Sequence, residues 1–495
     1  MGRKILVFLL FLIVMITPFF ISYNSFNENN NISSLIENFE TQTPVLLDHY
    51  NIPGASISLI EDGELRWIGT FGFADIENQQ EINKDTVYQM ASISKSVTAF
   101  GIMKLVEEGI INLDDPIETY ITRWQLPESI YDKSQVTIRR VLSHTAGLSR
   151  GGGYPGYESF SELPSLEESL SGIGGGSQPV ELIYEPGTRY FYSGGGYNLL
   201  QLLIEEVTGQ DFDRYMKEVV LIPMEMKDSS FQWEDYTESR IGKAYNIKLE
   251  ELPNYLFIEK AAAGLYSTIG DISQFVIASI NSYGGGDDFL QKGTLKEMYE
   301  PVLTVKGLEG FIYKSTALGH FINMDNNNRP LVAHDGGNKG WRTNFSFVPD
   351  IGAGIVILTN GDNGTYLINE ALNTWYFKVY EEKRDFNKLT HNVCAVVYAI
   401  SSALILWSLL IIIQLYKGYK KGELVFLKVY TNKIHFIVKI VVSVALIYFA
   451  YFIGKQIVPI LGFVNTNIGS VFGIAINIRI IIGIIQMFVN KRKIV

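Results

Sequence analysis

Of the chain's 495 residues, 52 are acidic and 41 basic, for a net charge of −11. The charge is split along the chain: residues 392–495 carry eleven Lys/Arg and one acid, Glu423, which leaves thirty basic against fifty-one acidic residues in front. So acidic a front part repels polyanions, which argues against nucleic acid as a partner, and a single cysteine, Cys394, rules out an intrachain disulfide or a cysteine-based metal site.

The first element is an apolar run at 5–21 behind Arg3 and Lys4, which reads as a signal peptide or uncleaved anchor within residues 1–25. Residues 55–60 and 64–70 alternate apolar and polar side chains around Asp62-Gly63, a hairpin signal. A helix is expected to start at Ser92, to bury Val97, Phe100, Met103 and Leu105–Val106 on one face, and to close at Gly109. Glycine clusters at 151–153, 172–176 and 284–286 mark loops. Residues 344–348 and 354–358 read as two further strands, joined by Pro349-Asp350 and closed by Asn360-Gly361, and 366–380 has helical periodicity. Strands at both ends with helical material between them imply an α+β fold. One antiparallel sheet is built from the chain's extremities and flanked by helices, with a helical subdomain inserted. That domain is expected at residues 35–385.

The tail, 392–495, contains three apolar runs at 393–416, 434–452 and 468–489, each close to the 20 residues that span a bilayer core. Lys/Arg clusters precede the 5–21 segment, fill the loop at 417–433 and follow the last run, whereas the loop between the second and third runs has only Lys455. If four spans alternate, all the clusters fall on one side, and that side is cytoplasmic. The acidic domain then lies outside, on a multi-pass cell-membrane protein. Arg479, inside the last run, is expected to face other helices rather than lipid.

The sharpest chemical signal is Ser92-Ile93-Ser94-Lys95. Three residues separate the hydroxyl from the amine, which puts them one helical turn apart on one face. A desolvated lysine there can lose its proton and take one from the serine. Gly147-Leu148-Ser149-Arg150-Gly151 satisfies Gly-x-Ser-x-Gly, but glycines follow where that elbow needs a helix, so it is read as coincidence. The six histidines are scattered and form no His-Glu-x-x-His string, so no metal and no cofactor is expected. His144 is read as a structural residue of its loop.

Five stretches occur in one order: Ile52-Pro53-Gly54-Ala55, residues 90–95, Val136 to Leu148, Glu185 to Ser193, and His334-Asp335-Gly336-Gly337. Together they resemble the serine β-lactamase and penicillin-binding-protein family, of the class C β-lactamase and D-Ala-D-Ala carboxypeptidase type, over residues 35–380. The resemblance implies a β-lactamase/transpeptidase-like domain with Ser92 as the acylated serine, Lys95 as its lysine and Tyr192 as the tyrosine that relays a proton to the leaving group. It implies that His334-Asp335-Gly336 stands for the Lys-Thr-Gly strand motif. The N–H groups of Ser92 and Gly337 would form the oxyanion hole, with His334, Gly336, Asn338 and Gly194 binding substrate. Trp341 is a further candidate for the pocket lining. The chain departs from the family at Gly194, where an asparagine is expected two residues after the tyrosine; that puts substrate orientation in doubt and argues against efficient β-lactam hydrolysis.

These readings converge on an extracytoplasmic, membrane-anchored serine hydrolase. The expected substrates are small peptides or acylated peptides containing a D-residue, either cell-wall peptides or an acylated prodrug of the kind trimmed by peptidases with a three-helix membrane tail. An esterase, and a penicillin-binding sensor or wall-binding protein that acylates without turnover, are the alternatives.

Overall fold

The computed structural model describes residues 31–149, 156–173, 178–286, 289–307, 309–325, 327–382, 384–426, 433–457 and 466–491. The expected anchor at 5–21 and the glycines at 151–153 and 174–176 lie outside the described residues. By its internal contacts the chain divides into one compact unit of Asn30–Lys383 and a second that includes Arg384–Val495.

The first unit opens with helix α1 (Ile32–Tyr50), capped by the Asn31 side chain, which accepts from the Ser34 N–H at 2.7 Å. The hairpin follows as β1 (Gly54–Glu61) and β2 (Glu64–Asp75). Asp62 (φ 57°) and Gly63 (φ 70°) are both left-handed, the backbone that a two-residue hairpin turn requires. After β3 (Gln80–Glu81) come helices α2 (Ile93–Glu107), α3 (Gly194–Thr208), α4 (Lys260–Ala263) and α5 (Ile269–Gly284). The chain then returns to the sheet through β4 (Leu303–Thr304), β5 (Ser315–Thr316), β6 (Phe321–Met324), β7 (Pro330–Asn338), β8 (Trp341–Val348) and β9 (Ala353–Thr359), and ends the unit with α6 (Gly364–Tyr380).

The strands form one nine-stranded sheet in the order β3-β2-β1-β9-β8-β7-β6-β5-β4. The two ends of the unit meet where β1 pairs antiparallel with β9, from Ala55 opposite Thr359 to Ile60 opposite Gly354. Both faces are covered. Leu35 and Phe39 of α1 and Ile368, Leu372 and Trp375 of α6 pack on one side with Ile57, Leu59, Ile355 and Ile357. Phe275 and Val276 of α5 pack on the other with Ile60, Phe345, Phe347, Val356 and Leu358. With cover on both sides, β9 is buried along nearly its whole length instead of alternating.

One expectation changes. Helix α2 does not bury a single apolar stripe: Ser94, Lys95, Ser96 and Thr98 are as buried as Val97 and Phe100. The helix lies between the sheet and the helical subdomain, so tertiary packing surrounds it and its polar residues bond inward. Its end is as expected, with Gly109 left-handed (φ 69°) just past the last turn.

The second unit contains helices α7 (Asp385–Lys420), α8 (Lys433–Phe452) and α9 (Thr466–Phe488). Along them, and for the second running on past the end of α8, Asn392–Lys420, Phe436–Lys455 and Ile468–Phe488 are long and apolar enough to cross a membrane. Arg479 of α9 faces a neighbouring helix, with its guanidinium 4.0 Å from the ring of Trp407 on α7.

Candidate active site

Ser92 stands at the N-terminus of α2, immediately after a residue in a sparsely populated conformation. Ala91 has φ 50°, left-handed for a residue with a Cβ, which costs about 1–2 kcal/mol. The surroundings hold this turn: the Ser94 hydroxyl donates to the Ala91 carbonyl at 2.6 Å and accepts from the Leu265 N–H at 2.9 Å. The Ser92 side chain makes no capping bond to its own helix. Its hydroxyl is therefore not used up as a cap.

Lys95 lies one turn along and is fully buried. Its Nζ is 3.3 Å from Ser92 Oγ and donates to the Ala262 carbonyl of α4 at 2.6 Å. The rings of Tyr192 and Tyr197 lie 5.1 and 5.6 Å from the same nitrogen. Burial disfavours the ammonium and lowers its pKa to about 7. Sequence reasoning missed the Ala262 carbonyl because the acceptor is main chain. The run Ala261-Ala262-Ala263-Gly264 was the available signal, since small residues let α4 pack close to α2.

Tyr192 sits just before α3, whose first residue is Gly194. Ser193 caps that helix: its Oγ accepts from the Gly196 N–H at 3.0 Å and donates to the Ser149 carbonyl at 2.5 Å. His144 has a larger part here than its loop alone implied. Its Nδ1 accepts from the Ser193 N–H at 3.1 Å, and its ring centroid is 4.3 Å from that of Tyr192. His144 thus fixes the tyrosine from behind. Gly194 is buried in the first turn of α3.

The fourth side of the site is β7. Strand β6 pairs with it only from Pro330 to Ala333, so among the described residues β7 has no strand neighbour on that edge from His334 onward. His334 is buried with Nδ1 2.7 Å from the Asp335 carbonyl; a carbonyl only accepts, so Nδ1 carries the proton. Burial, and next the nearby Lys95, lower its pKa to about 3, and it is neutral at ordinary pH. Gly336 is buried against the nucleophile's turn: a Cβ there would lie 2.2 Å from the Met90 carbonyl oxygen and 2.1 Å from Thr343 Oγ1. It is a packing glycine, with no room for a side chain. Gly337 is exposed, and a Cβ there would meet nothing nearer than 3.7 Å. The close approach is therefore made by Gly336, and it brings the Gly337 backbone beside the turn that carries Ser92.

Asn338 ties the strand end to the opposite wall through Nδ2, which donates to Gln89 Oε1 at 3.0 Å and reaches the Ala263 carbonyl at 3.5 Å. Gln89 was not foreseen; nothing in the sequence marks it. Trp341 does not line the pocket: it is fully buried and meets Tyr88 edge-on, 5.9 Å apart. The Ser149 hydroxyl is engaged elsewhere, bonded to the Pro179 carbonyl at 3.0 Å and the Glu181 N–H at 3.0 Å. Among the described residues, no group of His, Cys, Asp and Glu could hold a metal ion.

Residues 34–373 match the model of the Beta-lactamase family. The chain is 24% identical over 350 residues to Protein flp of Staphylococcus aureus (strain NCTC 8325 / PS 47), covering 69% of this chain and 67% of that protein. Among solved structures, it is similar to the octameric penicillin-binding protein homologue from Pyrococcus abyssi, at 25% identity and TM-score 0.59 over 71% of this chain and 78% of that one. A D-amino acid amidase from Ochrobactrum anthropi shares the fold, at 21% identity and TM-score 0.59 over 70% and 99%. With the family model spanning more than half of its length, the chain belongs to the β-lactamase family of serine hydrolases.

Proposed function

We propose that this protein is a membrane-anchored, extracytoplasmic serine hydrolase that cleaves D-amino-acid-containing peptides or amides through an acyl-enzyme on Ser92. The observation that carries the reading is a fully buried lysine, its pKa lowered to about 7, whose amine lies 3.3 Å from the Ser92 hydroxyl. In its neutral form Lys95 takes the Ser92 proton as the oxygen attacks the substrate carbonyl. The N–H groups of Ser92 and Gly337 receive the oxyanion. Tyr192 gives a proton to the departing amine, and water then releases the acyl group with the proton flow reversed. His334, neutral and buried, positions substrate rather than acting as the base.

The basic clusters flanking the apolar segments favour an outward catalytic unit. The D-amino acid amidase that shares the fold supplies the first substrates to try. Membranes containing the full chain should be labelled by a fluorophosphonate and should turn over D-amino acid amides or acyl-D-dipeptides. Ser92→Ala should abolish both while Ser149→Ala leaves both intact. Labelling without steady product release would make the protein a sensor instead, and dependence on Ser149 would overturn the site.

A further inference from the structure

Gly337 is held on both sides by the two residues that lead into the nucleophile's turn. On one side its neighbour Gly336 packs against the Met90 carbonyl, which also accepts from Thr343 Oγ1 at 3.0 Å. On the other, its neighbour Asn338 donates through Nδ2 to Gln89 Oε1 at 3.0 Å. Only Ala91 separates Gln89 and Met90 from Ser92.

The Met90 contact follows from the size of a glycine. The Gln89 contact depends on a single side-chain amide, on a residue only 2% exposed. Its Nε2 donates to the Tyr255 carbonyl at 2.9 Å. A carbonyl only accepts, so that bond fixes which way the amide points and leaves Oε1 toward Asn338. The backbone is fixed as well: Tyr88–Gln89 pairs with Tyr266–Ser267, and the Met90 N–H donates to the Leu265 carbonyl at 2.8 Å. An amide bonded at both ends, on a paired backbone, has little freedom to shift. An oxyanion hole needs that rigidity, because its two donors must aim at one point. Ser92 and Gly337 are far apart in the chain, so tertiary contacts have to set their spacing.

We infer that Gln89 is a positioning residue for acylation: with Met90 it clamps Gly337 on both sides and sets the separation of the two oxyanion N–H groups. The inference rests on the Ser92 acyl-enzyme reading and adds a residue to it. The clamp is separate from the base. Helix α4, which supplies the carbonyl acceptor of Lys95, has its own ties: Thr98 Oγ1 donates to the Ala261 carbonyl at 3.2 Å, and Gln201 Oε1 accepts the Ala261 N–H at 3.1 Å. Loss of Gln89 therefore leaves Lys95 its acceptor.

The test uses the full chain in detergent, with a fluorophosphonate and a D-amino acid amide as acylating probes. Gln89→Leu keeps the bulk and removes both bonds, so it should slow labelling and single-turnover acylation roughly 10- to 100-fold. Substrate KM and the pH midpoint of acylation should not move. Affinity for a boronic acid that mimics the tetrahedral intermediate should fall with the rate. Asn338→Ala cuts the same tie from the strand, and the double variant should lose no more than the worse single variant. Wild-type rates in Gln89→Leu overturn the inference, as do a loss confined to KM, a shifted pH midpoint or additive losses. If Gln89→Leu fails to fold, Asn338→Ala decides alone, and a wild-type rate with full boronate affinity overturns it. Activity retained by Ser92→Ala would sink the acyl-enzyme reading and this inference with it. A clamp failure beside an inactive Ser92→Ala leaves that reading standing.

Discussion

A lysine kept from water sheds its proton more readily than one in solution, and at Lys95 burial brings the amine to a pKa of about 7. Its Nζ touches Ser92 Oγ, the Ala262 carbonyl and two tyrosine rings. With a pKa near 7, the neutral fraction rises with pH, so acylation by the wild type should climb through about pH 7 and level off above it. His334, with a pKa near 3, should add no inflection in that range. Single-turnover acylation from pH 5.5 to 9 checks both, and a bell centred on a histidine would assign the base elsewhere. Lys95→Ala should suppress acylation at every pH. Tyr192→Phe keeps the ring contacts with His144 and Phe321 but removes the hydroxyl, so the rate should fall roughly 10²–10⁴-fold with little change in substrate binding.

Two neighbouring glycines on β7 separate packing from chemistry at the scale of the element. Gly336 has the Met90 carbonyl where a Cβ would go, and at Gly337 a Cβ would make only ordinary contact with Arg342. Gly336→Ala should push the strand off the nucleophile's turn, destabilise the unit by about 1–3 kcal/mol and cost most of the activity. Gly337→Ala should melt within a degree or two of the wild type. Thermal unfolding of the two variants, read beside their turnover, decides whether the contact with Met90 is what sets the strand. His144 offers a parallel case on the other wall. Its imidazole accepts the Ser193 N–H and packs at a tilt against Tyr192, so His144→Ala should lower kcat by loosening the tyrosine while leaving KM nearly unchanged.

Over the whole molecule, charge is the organising quantity. Eleven of the twelve charged Asp, Glu, Lys and Arg residues after position 391 are basic, and all but Lys439 and Arg479 lie at or between the ends of the apolar helices. Reporters fused after Asn392 should read outside the cell, and those fused after Lys421 or Val495 should read inside. An inside reading at Asn392 would put the catalytic unit in the cytoplasm and remove cell-wall peptides from the candidate substrates.

The hairpin at Asp62-Gly63, the α2 start at Ser92, the β8–β9 pair and the three apolar helices were all legible because each is a local pattern. A turn needs two left-handed residues, a strand pair needs apolar runs around a turn, and a span needs 20 apolar residues. The Ser92-Lys95 spacing was legible for the same reason, since one helical turn fixes the geometry. What decided the state of Lys95 was not local. Its neutralising burial comes from α4, 167 residues away, and its aromatic surroundings from the start of α3. The roles of Gly336, Trp341 and Asn338 likewise turned on which elements pack against β7. Alternation along a strand gives two faces, and only the tertiary packing says which one meets the nucleophile's turn and which is turned away from it.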